Sequence, residues 1–236
     1  PGPPALVTTP TRAPTGIGWD DSSATTSNSC SRVSVRSTPA WANSASTATS
    51  SPASAAECDA AFGGLDGLVN AAGVIGNGAI DATAPAEWDR IMDSNVRSLY
   101  LMTRAAAEAL KKKRGSIVNL SSVAGNRPYA GLGAYCVSKA AVDMITRCAA
   151  LDFAPHGVRV NAVSPGVVVT ELHTVGSAVA DYAAFLERGK TTHPLGRVGS
   201  ADEVAALILF LLSREAGWIT GASMPIDGGR ALASSR

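Results

Sequence analysis

The sequence predicts an α/β fold: a single domain on a doubly wound parallel sheet. Three runs carry the prediction: Leu65-Asp66-Gly67-Leu68-Val69-Asn70, Gly115-Ser116-Ile117-Val118-Asn119-Leu120 and Gly157-Val158-Arg159-Val160-Asn161-Ala162-Val163. Each is short and mostly aliphatic or β-branched, as a strand covered on both faces requires. Longer stretches of helical spacing lie between them, near 86–112 and 135–153, so strand and helix alternate. The first two runs end in small or hydroxyl-bearing residues, Ala71-Ala72-Gly73 and Ser121-Ser122, at the strand ends where open sheets present their chemistry.

At 236 residues the chain suffices for one such domain with a sizeable core. A formal charge of +1 gives no basic surplus, so neither nucleic acid nor membrane is expected as a partner. The longest apolar run, Val204 to Leu212, falls well short of the roughly 20 residues of a membrane span and reads as one buried helix. Cys30, Cys58, Cys136 and Cys148 show no Cys-x-x-Cys spacing, and no signal peptide is evident, which points to a reducing cytoplasm. His156, His173 and His193 lack ligand spacing, so no metal is expected.

In chain order, Ala5-Leu6-Val7-Thr8 reads as the end of a first strand and Thr15-Gly16-Ile17-Gly18 as the end of a phosphate-binding turn. Asp20 to Ser54 is dominated by Ser, Thr and Ala with almost no aliphatic periodicity, and reads as linker or disorder. The composition changes so abruptly that about Thr9 to Ser54 reads as a shifted frame or a rearranged gene segment. Order returns at Ala60-Ala61-Phe62-Gly63-Gly64. Ala86 to Met92 has a helical apolar face in Trp88, Ile91 and Met92; Asn95 follows, then a helix from about Val96 to Lys112 whose basic end, Lys111-Lys112-Lys113, suits a helix C-terminus. After the third strand, Pro165 breaks the ladder and Gly166 permits a close turn. Ser200, with Glu203 three residues on, caps a helix that continues to Leu212. Ser223 to Gly229 forms the last strand and its exit, and the tail beyond Arg230 reads as loose.

The stretch that points to chemistry is Ser121-Ser122 followed by Tyr135-Cys136-Val137-Ser138-Lys139. On a helix opened by Tyr135, Lys139 lies one turn later on the same face. A cation about 4 Å from a phenol, at an effective dielectric of about 20, is worth roughly 4 kcal/mol, about three pKa units downward. A phenol tuned this way, with Ser122 as hydroxyl donor, suits carbonyl–alcohol interconversion. A serine hydrolase built on Ser122 and Lys139 lacks the Gly-x-Ser-x-Gly elbow and a placed His.

Ser122, Tyr135 and Lys139, with Asn70-Ala71-Ala72-Gly73 upstream and Asn161-Ala162-Val163-Ser164-Pro165-Gly166 downstream, resemble the short-chain dehydrogenase/reductase family from about Phe62 to Arg230. The resemblance implies a Rossmann-like fold, NAD or NADP as cofactor, and a small carbonyl or alcohol substrate. It also implies a homodimer or homotetramer pairing through the two long helices. It makes Asn95, Ser122, Tyr135 and Lys139 catalytic, with Asn95 linking Lys139 to solvent through a water. It places Gly16, Ile17, Gly18, Asn70, Ala71, Gly73, Tyr135, Lys139, Pro165, Gly166, Val168 and Thr170 on the cofactor. Residues 171–195, with Tyr182, Phe185 and Leu186 at helical spacing, match the family's substrate lid. The sequence departs from the pattern where the first glycine of the phosphate loop falls on Arg12, where Pro10 and Pro14 remove donors, and where Ala71 replaces a second Asn. Residues 1–56 are then an aberrant, partly disordered remnant of the dinucleotide-binding half, and 57–236 the catalytic portion. The rival reading is a catalytically impaired, oligomeric binding scaffold. NAD-versus-NADP choice is unreadable, because the selector at the second strand lies in the aberrant segment.

Overall fold

The computed structural model describes residues 63–174, 179 and 181–233, together with two short strands near the N-terminus. Six parallel strands form one sheet: β1 (Leu6–Thr8), β2 (Ser34–Val35), β3 (Gly67–Asn70), β4 (Ser116–Leu120), β5 (Arg159–Pro165) and β6 (Ser223–Ile226), in the spatial order β2-β1-β3-β4-β5-β6. The chain winds one way from β1 to β2 and the other way from β3 to β6. The direction therefore switches between β1 and β3, and a crevice opens at the carboxyl ends there.

Strand β2 corrects the reading of 20–54 as linker or disorder at two residues. Ser34 pairs with Val7, and Val35 with Thr8. Its sequence context, Val33-Ser34-Val35, carries β-branched residues at alternate positions that the Ser- and Thr-rich surroundings obscured. The expected first strand at Ala5 to Thr8 is β1, paired with β3; the other expectations for 1–62, the turn at Gly16, Ile17 and Gly18 included, lie outside the described residues.

Helices cover both faces of the sheet. α1 (Pro85–Met92) runs through a π-helical turn, Asp93–Arg97, into α2 (Ser98–Lys113). α3 (Gly133–Phe153) follows β4; α4 (Tyr182–Thr192) and α5 (Ala201–Leu212) lie between β5 and β6. Alternation along β4 sends Ile117 to one face and Val118 to the other. Ile117 packs with Leu65, Leu68, Met102, Leu110 and Val160 under α2 and α3. Val118 packs with Val163, Val204 and Leu211 under α5. Ser200 caps α5 as expected: its hydroxyl accepts from the Glu203 amide, and Glu203 accepts from the Ser200 amide at 2.9 Å.

Two expectations about strand ends are corrected. Pro165 is the last rung of β5, paired with Ile226, because a proline at a strand's end loses no ladder bond it needs. The segment after β6 is pinned as far as residue 233. Asp227 Oδ1 accepts from Gly229 N at 2.9 Å and Oδ2 from Ala231 N at 2.7 Å, while Arg127 donates to the Arg230 and Ala233 carbonyls. Among the described residues, no helix is long and apolar enough to cross a membrane.

Candidate active site

The carboxyl ends of β3, β4 and β5 open into a cavity of about 360 Å³. Ala71 and Gly73 line it after β3, Leu120 to Ala124 after β4, and Pro165 to Val168 and Thr170 after β5. Tyr135 and Lys139 reach it from α3, and Leu172, His173, Val179 and Phe185 close it from the 171–195 segment.

The three central residues meet because three local structures aim them. Ser122 caps a short 3-10 turn, Val123–Gly125, its hydroxyl accepting from Ala124 N at 3.1 Å. That turn places Ser122 on the same cavity wall as the buried Tyr135, whose phenol pKa it acts to lower. α3 starts two residues before Tyr135, and one turn later Lys139 sets its Nζ 5.8 Å from the Tyr135 ring centre, donating to the Leu120 carbonyl at 2.8 Å.

Electrostatics here run opposite to the expectation from spacing. Burial pushes the Tyr135 phenol up to about 12, and the Ser122 hydrogen bond only partly opposes it. Burial likewise depresses Lys139 to about 8, against the pull of Asp143 one turn further along α3. The one-turn estimate assumed a charged lysine in a polar surround. With both groups out of water, loss of solvation dominates each and Lys139 spends its proton on a backbone carbonyl.

Asn95 is fully buried within the π-helical turn. Its Oδ1 accepts from Val74 N at 2.8 Å, and its Nδ2 donates to Val74 O and to Ser138 Oγ, each at 2.9 Å. Ser138 in turn donates to the Tyr135 carbonyl at 2.7 Å. Asn95 thus ties the loop after β3 to the first turn of α3. A Cβ on Gly73 would stand 3.3 Å from Asn95 Oδ1 and 3.5 Å from Lys139 Nζ, so only bare backbone leaves this approach open.

Asn70, like the buried Asn95, does not line the cavity. Its amide donates to Asn119 Oδ1 and Thr103 Oγ1, and Asn119 continues to Thr146, a polar ladder between sheet and helices. The four candidates after β5 do line it. Val167 and Val169 bond to Gly199, so Val168 between them turns its own amide and carbonyl the other way, as in any parallel bridge. Thr170 is clamped by the Tyr182 hydroxyl, which accepts from its amide at 3.2 Å and donates to its carbonyl at 3.0 Å.

Four residues at or behind this site escaped the sequence reading: Tyr129, His173, His193 and Arg230. His193 is buried; its Nε2 accepts from Val167 N at 3.1 Å and its Nδ1 faces the Gly189 carbonyl, which assigns the Nδ1-protonated ring. A lone His at a helix end carries no spacing signal. Among the described residues no cluster of His, Cys, Asp or Glu could hold a metal.

Comparison with known proteins agrees with this geometry. The profile of the family described as enoyl-(acyl carrier protein) reductase matches residues 24–231. The chain is 40% identical over 172 residues to 2-(S)-hydroxypropyl-CoM dehydrogenase 3 of Xanthobacter autotrophicus, covering 71% of this chain and 67% of that one. It is 42% identical over 166 residues to cyclopentanol dehydrogenase of Comamonas testosteroni, covering 70% of this chain and 65% of that one. A gluconate 5-dehydrogenase from Burkholderia cenocepacia in complex with NADP and tartrate superposes with a TM-score of 0.72 at 31% identity, over 78% of this chain and 71% of that one. With the parallel sheet and the Ser122, Tyr135 and Lys139 cluster at its carboxyl edge, these likenesses place the chain in the short-chain dehydrogenase/reductase family of NAD(P)-dependent oxidoreductases.

Proposed function

We propose that the chain interconverts a ketone and a secondary alcohol with NAD or NADP, Tyr135 exchanging the proton. The observation that supports this reading is that Ser122, Tyr135 and Lys139 all line one cavity at the carboxyl ends of the strands. In the reducing direction Tyr135 donates its proton to the carbonyl oxygen while Ser122 holds that oxygen in place. In the oxidising direction Tyr135 takes the proton, and an alkaline phenol makes this the more pH-demanding direction. Lys139, released from the Leu120 carbonyl, holds a ribose hydroxyl; Ala71, Gly73, Pro165, Gly166, Val168 and Thr170 form the rest of the cradle. The open backbone at Gly73 fits a ribose beside Lys139. When bound, the nicotinamide supplies or accepts the hydride. Asn95 acts by fixing the loop after β3, and a water on the second lone pair of its Oδ1 links Lys139 to solvent. Residues 171–195 form the lid that selects substrate and excludes water.

The test is titration with NADH and NADPH by fluorescence, then turnover of a panel of ketones by the wild type and Tyr135→Phe. Saturable binding with turnover lost in Tyr135→Phe and binding retained is expected. Full activity in that variant removes Tyr135 from the reaction. If neither nucleotide binds, the impaired scaffold replaces the enzyme.

A further inference from the structure

The cavity has a second charged end. Its described lining contains no Asp or Glu; its potential charges are Lys139, His173 and Arg230. Lys139 faces the reacting centre. His173, tilted against Phe185 with ring centres 4.6 Å apart, is pushed down by burial and by the Arg230 charge. Arg230 is therefore the cation left over.

Arg230 is held in place from both sides. The turn after β6, with Gly228 and Gly229 at φ 57 and 84, brings Arg230 N to the Asp227 carbonyl at 3.0 Å. The carboxylate nearest in sequence is consumed by backbone, since Asp227 accepts from Gly229 and Ala231. The guanidinium donates through Nε to the Tyr129 hydroxyl at 3.2 Å and through Nη1 to Thr192 Oγ1 at 2.8 Å, and lies 5.3 Å from the Tyr129 ring centre. These partners are neutral. No carboxylate pairs with Arg230 among the described residues, although apolar Leu172, Val179 and Phe185 share its cavity. A half-buried guanidinium at a cavity wall without a carboxylate partner can meet a planar carboxylate with two parallel hydrogen bonds.

We infer that Arg230 is a substrate-specificity residue, and that the ketone or alcohol this chain favours carries a carboxylate, or a sulfonate of like charge, away from its reacting carbon. This rests on the carbonyl–alcohol reading above. Tyr129 is the second polar contact of that anionic group, and Thr192 keeps the guanidinium fork facing the cavity from the end of α4.

The experiment pairs each acid with its charge-free twin. 3-Oxobutanoate, 4-oxopentanoate and 3-oxocyclohexanecarboxylate, and their methyl esters, are reduced by the wild type, Arg230→Gln and Arg230→Lys, with thermal melts confirming that each variant folds. At least one acid is expected to exceed its ester in kcat/KM by about 10-fold or more, as a charge-assisted bidentate contact implies. Arg230→Gln should lower the acid's kcat/KM by about 10- to 100-fold, mostly through KM, and leave the ester within about twofold. Arg230→Lys should recover part of the loss. Esters that match or beat their acids overturn the inference, as does an equal loss for both in Arg230→Gln, which marks a purely structural clamp. If no compound turns over, the reaction assignment fails separately. Calorimetry of the same acids then decides: binding lost in Arg230→Gln upholds the anion site, and no binding to the wild type ends it.

Discussion

Tyr135 and Lys139 shift in directions that make opposite demands on stability, and the pH range separates them. Lys139 falls from 10.5 to about 8 on folding, so between these values the unfolded chain holds a proton the native protein lacks, and stability rises with pH. Tyr135 moves from 10.0 to about 12, so above pH 10 the native protein keeps a proton the unfolded chain has lost, and stability falls. Each pKa unit is worth about 1.4 kcal/mol, and 1 kcal/mol moves Tm by about 2–4 °C in a domain of this size. Against the wild type, Lys139→Met should lose the rise between pH 8 and 10, and Tyr135→Phe the fall above pH 10, by several degrees each. Melts followed every half unit from pH 7 to 11 check this; difference curves that stay flat would show that burial does not govern the pair. Spacing alone put these two side chains beside one cavity, because a helix repeats every turn. It could not give the sign of the shifts, because desolvation depends on how β4 and the 122–125 turn fold over the helix, which helical spacing does not carry.

At the scale of elements, the turn after β5 and the start of α5 fail differently when altered. A Cβ on Gly166 would stand 2.7 Å from His193 Nε2 and 3.0 Å from the Asp227 Cα, so the β5 exit, the end of α4 and the β6 exit cannot keep their present spacing around an alanine. Gly166→Ala should cost about 1–3 kcal/mol, as overpacking does, and weaken nucleotide binding because Val167 and Val168 move with the turn. Ser200→Ala should cost about 1 kcal/mol through loss of the cap and leave nucleotide affinity unchanged, since the Ser200 and Glu203 exchange closes on itself and on Arg197. Chemical denaturation and NADH or NADPH titration of both variants check this; an unchanged affinity in Gly166→Ala refutes the coupling. The capping box was legible because both of its partners sit within four residues. The His193 wedge behind Gly166 was not, because it joins residues 27 positions apart through one ring. The π-helical turn that carries Asn95 was equally invisible: α1 and α2 read as two helices, and nothing in Asp93-Ser94-Asn95 announces an extra residue in a continuous one.

For the whole molecule, an apolar surface on α3 has no cover among the described residues. The inner face of α3 packs on the sheet, yet its outer face carries Val137, Met144 and Leu151 at intervals of seven, 42%, 53% and 78% exposed, with Ala140 and Cys148 between them. Tyr100 on α2 is 51% exposed. A stripe of this period repeats every two helical turns, the pattern by which one helix lies along another. Because monomers seldom leave long apolar stripes in water, the prediction is that a second copy of the chain covers it, α3 against α3, about a twofold axis. Pairing through the long helices was implied by the family resemblance alone; only the fold tells which apolar stripe of α3 the sheet takes and which it leaves. Sedimentation equilibrium should give a dimer or tetramer for the wild type. Met144→Glu with Leu151→Glu should shift it to a smaller species, since two carboxylates per subunit would face their own copies across the axis. A wild type that sediments as a monomer, or a double variant that assembles unchanged, would place the interface elsewhere. Tyr135 and Lys139 leave α3 on the face turned away from this stripe, so dissociation should lower thermal stability more than the affinity for nucleotide, and the two readouts on the same variant separate assembly from the site.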